Sequence, residues 1–202
     1  MNGFVFDIYS FIGNPRPTIA LSGEAFSPKS IGPVLTGSSS QDPFAQGTVY
    51  PFGTSALNAE DTTSDFIDIT IEGTDTQVFV ELDGYCTRTG FSTDTVEGYC
   101  HFTYTVFDPL SFNTPIGKFV AEGPLTNPNL SFNPCTSLQV TGGTGIFIAS
   151  NGMVAFCPAI IDELGMVESL PLSQDLFEDV GGYLHLIDLV LDQEFAIVIA
   201  PF

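Results

Sequence analysis

The 202-residue chain has no tryptophan and four cations, Arg16, Lys29, Arg88 and Lys118, against 24 aspartates and glutamates. Four scattered cations cannot form a phosphate-contacting patch, and a formal net charge of −20 repels polyanions. Nucleic acid is therefore excluded as a partner. Charge of either sign is scarce, 14% of residues where about 25% is ordinary. No apolar run reaches the ~18 residues of a membrane helix, so no membrane insertion is expected. The opening MNGFVFDIYSF lacks a basic stretch before its apolar residues and does not read as a signal peptide. No C-x-x-C pair is present, the two histidines are far apart, and the acidic stretch EDTTSD lacks EF-hand spacing. No metal site is expected.

What is present is apolar and aromatic. Hydrophobic residues make up 44% of the chain and 19 residues are phenylalanine, a composition that can fill a core. The length suits one domain over 1–202. Four cysteines, Cys86, Cys100, Cys135 and Cys157, allow three pairings. An even count in an acidic, lysine-poor chain points to an oxidising compartment. The expected location is secreted, extracellular or an organelle lumen, a plastid included, the sequence being a mature form without its targeting segment.

Apolar residues recur with period two. Ile67, Ile69 and Ile71 alternate with Phe66, Asp68 and Thr70; Val78, Val80 and Leu82 alternate with Gln77, Phe79 and Glu81. Cys100, Phe102, Tyr104 and Val106 share one side of YCHFTYTVF, and His101 shares the other with Thr103 and Thr105. Later strand candidates include Ile146–Ala149, Met153–Cys157 and Tyr183–Leu191. Many short alternating strands punctuated by Gly, Pro, Asn and Asp give an all-β sandwich or barrel. Residues 13–57, rich in Pro, Gly and Ser, read as an irregular arm, and residues 159–181 as a short helical insertion. Strands with bulky apolar residues on both faces call for cover from neighbours, the protein's own copies or other subunits.

The stretch VTGGTGIFIASNG, from Val140 to Gly152, has the glycines of a phosphate loop without its spacing, its lysine or a following helix. It reads instead as turns between strands, with Asn151-Gly152 as a hairpin candidate. Together with GKFVAEGPL before it and GMVAF after it, from Gly117 to Phe156, this stretch resembles the signature of the allene oxide cyclase and dirigent superfamily. DGYC and GYCHFTYTVFD, between Gly84 and Asp108, resemble the two preceding strands of that family.

The resemblance implies an eight-stranded antiparallel β-barrel, commonly trimeric, with an apolar cavity and no cofactor. It implies catalytic roles for Asp7, as a buried polarising carboxylate, and for Tyr104, as a cavity tyrosine. Tyr9, Phe79, Cys86 and Phe102 would line a ligand. Cys86 and Cys100 flank a hairpin loop, and Cys135 and Cys157 bracket the glycine-rich strands, which favours these two disulfides. A bridged Cys86 is no free cavity thiol, and Tyr9 stands where the cyclases carry an asparagine. The expected function is therefore a non-catalytic barrel for binding and assembly, holding a hydrophobic small molecule and packing against other subunits. The alternative is a cofactor-free cyclase or isomerase acting on a lipid-like or polyketide-like substrate. His101 and His185 are expected to be structural, each with a hydrogen-bond partner.

Overall fold

The computed structural model describes residues 18–28, 49–60, 63–71, 73–92, 95–110, 114–126, 135–161, 167–169 and 182–192. They form eleven strands in one sheet: β1 (Thr18–Pro28), β2 (Val49–Ser55), β3 (Leu57–Asn58), β4 (Phe66–Ile71), β5 (Thr74–Ser92), β6 (Thr95–Phe107), β7 (Pro115–Thr126), β8 (Thr136–Gly145), β9 (Asn151–Ile161), β10 (Val167–Ser169) and β11 (Gly182–Asp192). The order β9-β11-β1-β4-β5-β6-β7-β8 returns to β9 through a β8–β9 pairing, so eight antiparallel strands make a ring. Between β1 and β5 the short β4 fills one part of the wall. β2, along β5, and β3, along β1, fill the rest.

Period-two alternation is what lets this ring enclose a core. Val78, Val80 and Leu82 of β5, Phe102 and Tyr104 of β6, Phe119 of β7, Leu138 of β8, Phe156 of β9 and Leu189 of β11 are all buried in one cluster. The alternate residues Glu81, Asp83, Tyr99, Lys118, Gln139 and Asp188 are exposed. Register shifts at Arg88/Gly90, Val106/Phe107 and Val120/Ala121 add local bends, the kind that help a sheet curl shut.

Four local expectations are corrected. Ile146–Ala149 is a turn, not a strand: Phe147 N donates to Thr144 O (3.2 Å), Ile148 N to Gly145 O (3.2 Å) and Ser150 N to Phe147 O (3.1 Å). Burial of the Phe147 ring, 1% exposed, outweighs the strand propensity of Ile-Phe-Ile. Asn151 and Gly152 accordingly open β9 instead of forming a hairpin turn. Inside 13–57, β1 is a full wall of the ring, paired with β11 over its whole length. Inside 159–181, β9 runs on to Ile161 and pairs with β10, strand where short helices were expected. The rest of that insertion, 162–166 and 170–181, lies outside the described residues.

Candidate functional site within the barrel

β6 and β11 lie on opposite sides of the ring, and alternation turns Phe102, Tyr104, Tyr183 and His185 inward from them. Tyr104 stacks on Phe119, with centroids 4.5 Å apart and planes 7° apart. Phe156 stacks on Tyr183 at 4.6 Å and 12°. His185 stands edge-on to Phe102 at 5.5 Å and to Tyr104 at 5.7 Å. Such offset and edge geometries satisfy the ring quadrupoles.

A polar contact joins the two walls. Tyr104 Oη and His185 Nδ1 are 2.8 Å apart and hydrogen-bonded, between residues 81 positions apart in sequence. Burial drives both groups to their uncharged forms: the His185 pKa falls to about 3, and the Tyr104 phenol is pushed well above its ordinary range. At neutral pH the pair is a neutral hydrogen bond in an aromatic cluster, and neither member is poised to exchange a proton. Thr136, buried and opposite Phe156 on β8, has a hydroxyl without a hydrogen-bond partner among the described residues.

The expected site residues divide between the faces. Tyr104 and Phe102 are inside, at 1% and 0% exposure. Cys86 is buried but bridged to its cross-strand partner Cys100, with Cα atoms 4.0 Å apart. Cys135 is bridged to Cys157, Cα–Cα 4.2 Å, so both favoured disulfides form and no described cysteine is free. Two disulfides fit an oxidising compartment. Phe79 lies on the face opposite to Val78 and Val80, 5.8 Å from the Phe107 ring. Asp7 and Tyr9 lie outside the described residues. His101 Nδ1 is 2.9 Å from Glu122 Oε2, so both histidines have partners. That His185 pairs with Tyr104 at the centre of the cluster goes beyond the structural role expected of it. Its alternation with Ile187 and Leu189 was the available signal.

Outside the ring, a groove of about 650 Å³ lies against β1, β3, β4 and β11, edged by Glu24, Glu60, Asp68 and Asp75. Asn58 Nδ2 and Gln77 Nε2 donate to the two oxygens of Asp68, each at 3.0 Å. Among the described residues no three His, Cys, Asp or Glu side chains are grouped to hold a metal. No helix among them is long and apolar enough to cross a membrane.

No family model matches the chain, and no curated protein matches it. Solved structures similar to it include two pterocarpan synthase dirigent proteins. GePTS1 shows 15% identity over 88% of this chain and 89% of that one, with a TM-score of 0.48. PsPTS1 shows 14% identity over 89% and 97%, with a TM-score of 0.49. A pyocyanin demethylase shows 16% identity over 86% and 99%, with a TM-score of 0.40. The chain folds as an antiparallel β-barrel, which rests on its own strand pairings; likenesses this low carry nothing about family, site or activity.

Proposed function

We propose that the protein is a non-catalytic barrel that acts by binding and assembly, holding a hydrophobic small molecule inside and packing its outer wall against further subunits. The observation that carries the reading is the Tyr104–His185 pair. The most central polar groups bond to each other, uncharged, among Phe102, Phe119 and Phe156. General acid–base catalysis works best with a group whose pKa lies near the working pH, and these two lie far to either side. The bound molecule would be largely apolar with a single polar group, which the Thr136 hydroxyl could meet. For assembly, the support is the outer wall of β9 and β11. Met153 is 48% exposed there, and Ala155, Leu184, Leu186 and Val190 are half-buried on the same face.

Native mass spectrometry and sedimentation, each with and without reductant, test both halves. A multimer that carries a small apolar mass is expected. A monomer under every condition, with no bound mass, would overturn the proposal. The cyclase reading retains one favourable observation, the inward-facing Tyr104. Turnover of a lipid epoxide that is abolished by Tyr104→Phe would replace the non-catalytic reading.

A further inference from the structure

A different set of side chains lines up on the outside of the ring. Tyr85 of β5, His101 of β6, Glu122 of β7 and Gln139 of β8 are successive register partners. They form a row across four strands. At the ~4.8 Å spacing of neighbouring strands, the row is about 14 Å long. Tyr85 lies nearly parallel to the His101 ring, at 24° and 5.8 Å. His101 holds Glu122 at 2.9 Å. That hydrogen bond is the main reason the Glu122 carboxyl stays below the usual carboxylate range and remains an ionised acceptor. Tyr85 and Tyr99 keep 43% and 39% of their surface exposed, and Tyr85 is held against the His101 ring. Tyrosine offers a rigid amphipathic surface at small entropic cost.

We propose that this outer wall binds a neutral polysaccharide chain, with sugar rings laid on Tyr85 and Tyr99 and sugar hydroxyls bonded to Glu122 and Gln139. The apolar faces of a pyranose suit an aromatic ring, and its equatorial hydroxyls suit a carboxylate and an amide held beside that ring. Charge narrows the class: a chain of net charge −20 repels uronates, sulfated glycans and nucleic acid, and the row offers a cationic sugar one carboxylate, Glu122, already bonded to His101. The wall around the row is poor in aliphatic surface, with Thr103 and Thr105 following His101 on β6 and Ser137 and Thr141 flanking Gln139 on β8. A protein partner seeking an apolar core would find little there. This site is independent of what the barrel holds inside.

The test is retention of the whole protein on cellulose, β-1,3-glucan, mannan and xylan, followed by calorimetry with soluble oligosaccharides of whichever polymer retains it. Retention on at least one neutral polymer is expected. Tyr85→Ala with Tyr99→Ala should weaken it by about tenfold or more, since each aromatic contact is worth roughly 0.5–1.5 kcal/mol. Tyr85→Phe with Tyr99→Phe should keep most of the binding, because stacking survives loss of the hydroxyls. Asp65→Asn, in the exposed bend before β4, should leave it unchanged, and unaltered near-ultraviolet circular dichroism would show that each variant is folded. Failure of all four polymers to retain the protein, preference for an acidic glycan, or indifference to the double alanine substitution would each overturn the proposal.

Discussion

Tyr104 and His185 show how one buried contact couples stability to pH. Tyr104→Phe keeps the ring packed on Phe119 but leaves His185 Nδ1 without that partner inside the core. Leaving a buried polar atom unsatisfied costs about 1–3 kcal/mol, so urea unfolding of this variant should show a loss of that order. The pH effect has a definite sign. His185 has a pKa of about 3 when folded and roughly 6.5 when unfolded. Between these values the unfolded chain binds the extra proton, so His185 makes stability fall as pH drops from about 6.5 towards 3. Protonation of the many carboxylates relieves repulsion in the same range and works the other way. The informative measurement is therefore the difference between the wild type and His185→Gln, whose stability should fall less steeply over that window. At this scale the sequence was half legible. Alternation and family resemblance placed Tyr104 inside, and alternation grouped His185 with Ile187 and Leu189. What joins the two residues is the closure of the ring, a relation across 81 positions that no local pattern encodes.

The β7–β8 hairpin and the turn after it explain the glycine-rich stretch. Gly143 lies beneath Phe147, where an added Cβ would stand 2.7 Å from the Phe147 Cβ. Gly145 has φ 63° and faces the Ile116 carbonyl oxygen. Gly142 has nothing within 4 Å of its would-be Cβ. Thermal or urea unfolding should therefore separate three alanine variants. Gly143→Ala and Gly145→Ala should each cost about 1–3 kcal/mol by forcing Phe147 or the backbone aside, while Gly142→Ala should be nearly neutral. The β8–β9 seam that closes the ring has register pairs only from Thr136↔Phe156 to Gln139↔Met153, and Cys135–Cys157 clamps its end. Removing that bridge as a serine pair should lose about 3 kcal/mol in the chain-entropy model and raise hydrogen exchange first along β8 and β9. Strands such as β5 and β6 were readable because each alternates over many residues. β1 was harder to see: Gly23 and Ala25 stand among its inward register positions, and the chain around it is dense in Pro, Gly and Ser. The 146–149 turn was misread because a β-rich tripeptide there is recruited to fill the core.

The whole molecule combines strong acidity with an outer wall that, Asp188 aside, is largely apolar along the middle of β9 and β11, and the two pull assembly in opposite directions. Copies carrying −20 each repel at long range, whereas the side chains of Met153, Leu184 and Leu186 gain by leaving water. Salt shortens the repulsion without weakening the burial: the screening length falls from about 30 Å at 0.01 M to about 8 Å at 0.15 M. If the β9–β11 wall is the contact between subunits, sedimentation should find the multimer fraction rising over that range. A contact built from exposed ion pairs would respond in the opposite direction. Met153→Lys isolates the wall itself. Met153 lies opposite Asp188 in the β9–β11 register, so a lysine there gains a cross-strand partner of opposite charge and leaves the monomer's stability near that of the wild type. It also puts an ammonium where the proposed interface would be dry, a burial that costs more than the surface ion pair returns. The variant should remain monomeric at salt concentrations where the wild type assembles. A variant that assembles as readily as the wild type would move the interface to another wall of the barrel.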